Sequence, residues 1–172
     1  CGFHHFSYNE DNSKNDKEME RMTMSNLQTP FRYDFVGSFL RPEKLKKARR
    51  QFNEGKIDAA ALKKVEDEAI TELVSKIKEL GYHVITDGEF RRATWHLDFM
   101  WGFDGISHTP TKTGLPFHGE AAMVDDTYIV GKIGLTGEHP FVDHFRFVKA
   151  LEDENTVAKQ TIPSPAQFLA QF

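Results

Sequence analysis

Asp87, Glu89, Arg91 and Arg92 fall within six residues of one another, directly after the β-branched pair Val84-Ile85 and around Gly88. Two carboxylates and two guanidinium groups at the end of an apolar run are the pattern of a buried strand that opens into a site. Glu89 offers an acceptor suited to an ammonium group or a proton, and Gly88 lets the backbone turn tightly or approach a ligand. The same residues would also serve a strand end whose Asp87 and Glu89 pair with Arg91 and Arg92. Ser38 is a second candidate. It follows Gly37 just past the apparent strand Phe31–Val36, where its hydroxyl and the neighbouring backbone N–H groups could bind a carboxylate or simply satisfy a turn.

The elements that must position these groups follow from the apolar pattern. Pro42 to Phe52 carries Leu45, Ala48 and Phe52 at helical spacing, with Gly55 as a C-terminal cap. A longer helix starts from an Asp58 cap and runs to Leu80, with Leu62, Val65, Ala69, Leu73, Ile77 and Leu80 forming its buried stripe and Gly81 ending it. Strand, helix pair and strand then make a parallel β-α-β unit, which brings Ser38 and Glu89 to the same edge of one sheet.

Residues 93–126 read as a long irregular loop rich in Gly, Pro and aromatics, able to stack on a flat heterocycle or to anchor the loop on its own domain. His96, His108 and His118 lack the spacing of a metal site. Thr127–Ile133 reads as a strand of an inserted hairpin, and Phe141, Phe145, Val148 and Leu151 as one face of a helix. Thr156–Ile162 is a last strand, and Ala166–Phe172 a short apolar helix.

Composition narrows the function. The 172 residues suit one domain with extensions, given about 150 residues per domain. A net charge of −4 supplies no basic field for nucleic acid or an anionic membrane, and the basic run Arg41–Arg50 reads as a solvated helix face. The single cysteine, Cys1, leaves no intrachain disulfide and no Cys-based zinc site. No apolar run nears the roughly 20 residues of a membrane span, and the chain shows no signal-peptide core, so a cytoplasmic location is expected. Residues 1–28 are polar and aperiodic, a disordered or accessory leader to a domain over 29–172.

Three stretches in this order resemble the catalytic barrel of cobalamin-independent methionine synthase and its shorter single-barrel relatives. They are Val36-Gly37-Ser38-Phe39 with Arg41-Pro42, Asp87-Gly88-Glu89-Phe90-Arg91-Arg92 with Trp95-His96-Leu97-Asp98-Phe99, and Thr161-Ile162-Pro163-Ser164-Pro165. The resemblance implies an α/β fold of the TIM type, a (β/α)8 barrel of which this chain supplies about the first three β/α units plus the inserted hairpin. It implies transfer of a methyl group from a methylated folate to the sulfur of homocysteine, held as thiolate by zinc. Gly37 and Ser38 would then receive the amino-acid carboxylate and Glu89 its ammonium, with Asp87, Arg91 and Trp95 in support. The family's zinc ligands, a His and two Cys with a Glu, lie on later strands. No metal ligand or catalytic residue is therefore assigned here, and residues 1–172 alone are expected to be inactive. The alternatives are alkyl transfer to another small thiol on the same scaffold, or a non-catalytic partial barrel that self-associates through open strand edges.

Overall fold

The computed structural model describes residues 27, 34–111, 115–117, 120–122 and 125–170. Helix α1 (Glu43–Asn53) follows Pro42, whose fixed φ suits a helix start, and it ends at a left-handed Gly55 as expected. It buries Leu45 and Ala48 and leaves Lys44, Lys46, Lys47 and Arg50 exposed. The basic run is not wholly solvated, however. Arg41 and Arg49 turn inward, because backbone carbonyls of the 89–92 turn need donors there.

Helix α2 (Ala59–Glu79) starts where Asp58 accepts a hydrogen bond from the Ala61 N–H at 2.7 Å. Ala69, Ile70, Val74 and Ile77 are buried and pack with Leu45, Ile85, Phe90 and Val148 as the core. The stripe stops one turn early. Leu80, expected inside, is 75% exposed, because the helix closes at Glu79 and the left-handed Gly81 swings the chain into the next segment.

Strand β1 (Val84–Ile85) pairs in parallel with β6 (Val157–Ala158), Val84 opposite Val157 and Ile85 opposite Ala158. β1 is the expected pair and runs at once into the turn at Asp87–Glu89, whereas β6 is shorter than the expected 156–162 and finds no longer ladder among the described residues. The expected first strand, 31–36, falls partly outside the described residues. Asp34–Val36 is not a strand, although Lys159 Nζ bonds both Asp34 Oδ1 and the Phe35 carbonyl and holds this segment beside β6.

The stretch 93–126, expected as irregular, holds α3 (Leu97–Met100), β2 (Asp104–Thr109), β3 (Leu115–Phe117) and β4 (Glu120–Ala122), while the hairpin strand expected over 127–133 is β5 (Asp126–Gly134). β2 pairs antiparallel with β5, and β3 with β4. Local pattern concealed β2, because its partner lies some twenty residues on and neither face is deeply buried. Helix α4 (Pro140–Lys149) buries Phe141 and Val148, and α5 (Pro165–Ala170) follows β6. No helix among the described residues is long and apolar enough to cross a membrane.

Candidate functional site

Everything distinctive at the end of β1 follows from a reversal in three residues. Gly88 and Glu89 both take left-handed φ, +61° and +58°. That conformation costs a residue with a Cβ about 1–2 kcal/mol, so Glu89 stays in it only because its surroundings hold it there. Asp87 is fully buried, and its Oδ1 accepts the Glu89 N–H at 2.9 Å. Arg41 Nη2 donates to the Glu89 carbonyl at 2.9 Å and to the Arg92 carbonyl at 2.7 Å. The Phe39 N–H donates to the Gly88 carbonyl at 3.1 Å, so the Ser38 segment is stitched to the Glu89 turn through the backbone.

The Glu89 carboxylate is nearly buried, and its Oε1 accepts the Thr161 hydroxyl at 2.9 Å and lies 3.4 Å from Arg92 Nη1. Arg92 is itself buried, its guanidinium 4.6 Å above the Phe141 ring. It also donates to the Thr161 carbonyl, to Thr161 Oγ1 at 3.1 Å and to the Trp95 carbonyl at 3.2 Å. Residues from three distant stretches thus converge on one turn, with 39–41 holding its backbone and Arg92 and Thr161 meeting the Glu89 carboxylate.

The other expected residues are placed differently. Ser38 is exposed beside left-handed Gly37 (φ +82°). Asp87 faces inward, with Gln160 Nε2 at 3.5 Å from Oδ2, and acts on the turn. Arg91 reaches α2, where it pairs with Asp67 and with Glu66 at 3.3 Å, and lies over the Phe147 ring of α4. Burial pushes the Glu66 carboxyl up despite Arg49 and Arg91 beside it. Trp95 is half exposed and rests against His96. Of the expected ion pairs, Glu89 with Arg92 forms, whereas Arg91 goes to α2.

Most of the aromatics from 95–111 act as anchors. Phe99 and Phe103 pack on His139, whose Nδ1 accepts the Phe141 N–H and whose Nε2 meets the Phe99 carbonyl at 2.9 Å. Trp101 stacks on His108 and donates to Thr127. Phe99, Phe103, His139, Phe141 and Ile162 also line an open apolar recess of about 310 Å³.

Thr161, Arg41 and Gln160 escaped the sequence reading as site residues. Thr161 was visible only as part of a matched stretch, and Arg41 only as part of another and as one charge in a basic run. Among the described residues no three His, Cys, Asp or Glu side chains come together to hold a metal ion. These residues therefore do not fit a zinc centre.

Comparison with known proteins bears on the same stretches. A family model for the catalytic domain of cobalamin-independent synthase matches residues 32–113, which include Gly37, Ser38, Asp87, Glu89, Arg91 and Trp95. Two Bacillus subtilis (strain 168) proteins, YxjG and YxjH, both uncharacterized, are each 38% identical over 146 and 143 residues, or 85% and 83% of this chain. A solved Listeria monocytogenes structure, assigned as a vitamin-B12 independent methionine synthase, is 41% identical over 85% of this chain with a TM-score of 0.68. A B12-independent methionine synthase from Shewanella sp. W3-18-1, solved with selenomethionine, is 16% identical over 66% of this chain at a TM-score of 0.51, a likeness of fold alone. The chain spans 38% and 37% of the two Bacillus proteins and 40% of the Listeria chain. The neighbours are of the TIM-barrel type, and the mixed helices and parallel strand pair of this chain correspond to part of one. Over these residues the chain is a partial member of the cobalamin-independent methionine synthase-like family.

Proposed function

We propose that this chain is the N-terminal portion of a methyltransferase of the methionine-synthase type, supplying about three β/α units of its barrel and the pocket for the amino-acid end of homocysteine. The family suggests methyl transfer; homocysteine as acceptor and a methylated folate as donor are this reading's own additions. One observation carries it. Glu89 is held in a costly backbone conformation by Asp87 and Arg41, with its carboxylate at the end of a parallel strand and the Ser38 segment hydrogen-bonded alongside. Strain retained at a strand's C-terminal end is a mark of a ligand site in this class of fold.

In this reading Glu89 accepts from the ligand ammonium, and the Ser38 hydroxyl with the backbone N–H groups beside Gly37 donates to its carboxylate. Each contact pairs a charge with the complementary donor or acceptor. Both act on the end of the substrate remote from sulfur, so they fix orientation and leave the thiol free for chemistry elsewhere. Zinc remains an expectation for the whole protein, and no step here is routed through it.

The test is Glu89→Gln in the full-length protein that carries these residues. Replacing the carboxylate with an amide removes a charge-assisted hydrogen bond of about 1.5–3 kcal/mol. Affinity for homocysteine, measured by calorimetry, should fall by about 10- to 100-fold, while 4-mercaptobutanoate, which lacks the amino group, should bind nearly as before. Equal losses for the two thiols would remove Glu89 from the ammonium site.

A further inference from the structure

We propose that Thr161 is a positioning residue for Glu89, a spacer that keeps Arg92 from closing on the carboxylate and so leaves that carboxylate able to receive a cationic ligand. The proposal rests on the amino-acid reading of Glu89 given above.

Arg92 and Glu89 are both almost wholly buried, three residues apart, and of opposite charge. Left to themselves, such a pair closes into a short, bidentate ion pair, because desolvated charges gain most from direct contact. Here they do not. The one contact between them is 3.4 Å, from Nη1 to Oε1, longer than a charge-assisted hydrogen bond. The Thr161 hydroxyl occupies the gap instead, donating to Glu89 Oε1 at 2.9 Å and accepting from Arg92 Nη2 at 3.1 Å.

The two terminal nitrogens are occupied elsewhere as well, while the buried Nε has no hydrogen-bond partner among the described residues. The Thr161 carbonyl takes Nη2, the Trp95 carbonyl takes Nη1, and the Phe141 ring lies against its face. Arg92 thus neutralises the site at a distance without saturating the carboxylate. All the contacts the described residues make to that carboxylate fall on Oε1, and Oε2 is not among the buried atoms lacking a partner. Oε2 is then the atom that a ligand ammonium would meet, with Oε1 fixing its direction. Thr161 reaches this position from the segment after β6, so the register of β1 against β6 sets the spacing.

The experiment compares Thr161→Val with Thr161→Ser in the full-length protein, titrating L-homocysteine and 4-mercaptobutanoate by calorimetry. Valine keeps the branched shape and loses the hydroxyl; serine keeps the hydroxyl. Thr161→Val should weaken homocysteine about tenfold and leave 4-mercaptobutanoate within about twofold, and Thr161→Ser should restore the wild-type ratio. If Thr161→Val does not fold, as judged by its thermal transition, Thr161→Ala is read in the same way. A wild-type ratio in the hydroxyl-free variant, or an equal loss for both thiols, would overturn the spacer role while leaving Glu89 as the ammonium site. If the wild-type protein does not distinguish the two thiols at all, the ammonium reading itself fails, and this proposal with it.

Discussion

The turn at Gly88 can be tested by adding a single methyl group. In Gly88→Ala the new Cβ would lie 2.5 Å from Leu73 Cδ2 and 3.3 Å from both Phe39 Cβ and Phe90 Cε1, at a φ of +61°. Two costs add. The left-handed conformation costs an alanine about 1–2 kcal/mol. Crowding against α2 and the core costs about 1–3 kcal/mol, toward the lower end because the Leu73 tip can move while Phe90 cannot. The sum is about 2–5 kcal/mol. Gly81→Ala is the control, since φ there is +79° and nothing lies within 4 Å of the added Cβ, which leaves only the first cost. The loss of chain entropy on replacing glycine is common to both variants and cancels in their difference. At about 2–4 °C per kcal/mol for a chain of this size, Gly88→Ala should melt several degrees below Gly81→Ala. Urea unfolding followed by circular dichroism supplies the free energies. Equal destabilisation in the two variants would refute the close approach of α2 to the turn, and with it the account of how Glu89 is aimed.

Arg91→Leu should lower stability by about 3 kcal/mol, because it leaves the buried Glu66 with Arg49 alone. Discrimination between homocysteine and 4-mercaptobutanoate should be unchanged, and a changed ratio would return Arg91 to the site. His144 gives a pH signature. Burial, reinforced by Arg91 and Arg92 and opposed by Asp87, holds its pKa below the ordinary 6.5. The unfolded chain therefore binds the proton more readily, so the stabilising contribution is full above pH 6.5 and is lost as pH falls below that value toward the folded pKa. In His144→Gln that slope should flatten between the two values, as measured by unfolding free energies in a pH series. Glu66, raised above 4.5, carries the opposite sign, but it is present in both proteins and drops out of the comparison.

Helices were the most legible part of the fold. Asp58, Gly55 and Gly81 mark ends by local backbone chemistry, and the observed boundaries fall within a residue or two of them. Strands were less so. Val84–Ile85 announced itself by side-chain type, but the length of a strand depends on a partner, and here that partner is seventy residues away. In the inserted hairpin β5 was legible, but its partner β2 was hidden among glycines and aromatics that read as loop. Leu80 shows the opposite error, an apolar residue in phase with a helix that ends just before it.

The sequence by itself determined the covalent order of the site: a carboxylate next to a flexible glycine after a buried pair, a serine after a strand-like stretch, and the matched segments that mark the family. These are local properties, set by residue type and spacing. Tertiary structure alone decided which guanidinium faces Glu89. Arg91 and Arg92 are neighbours of the same chemistry, yet the turn sends one to α2 and the other to Thr161. It also decided that Arg41, read as one charge of a solvated face, would hold the Glu89 backbone from 48 residues away. A side chain's direction depends on the turn that carries it, and its partner on how distant strands register, so neither can be read along the chain.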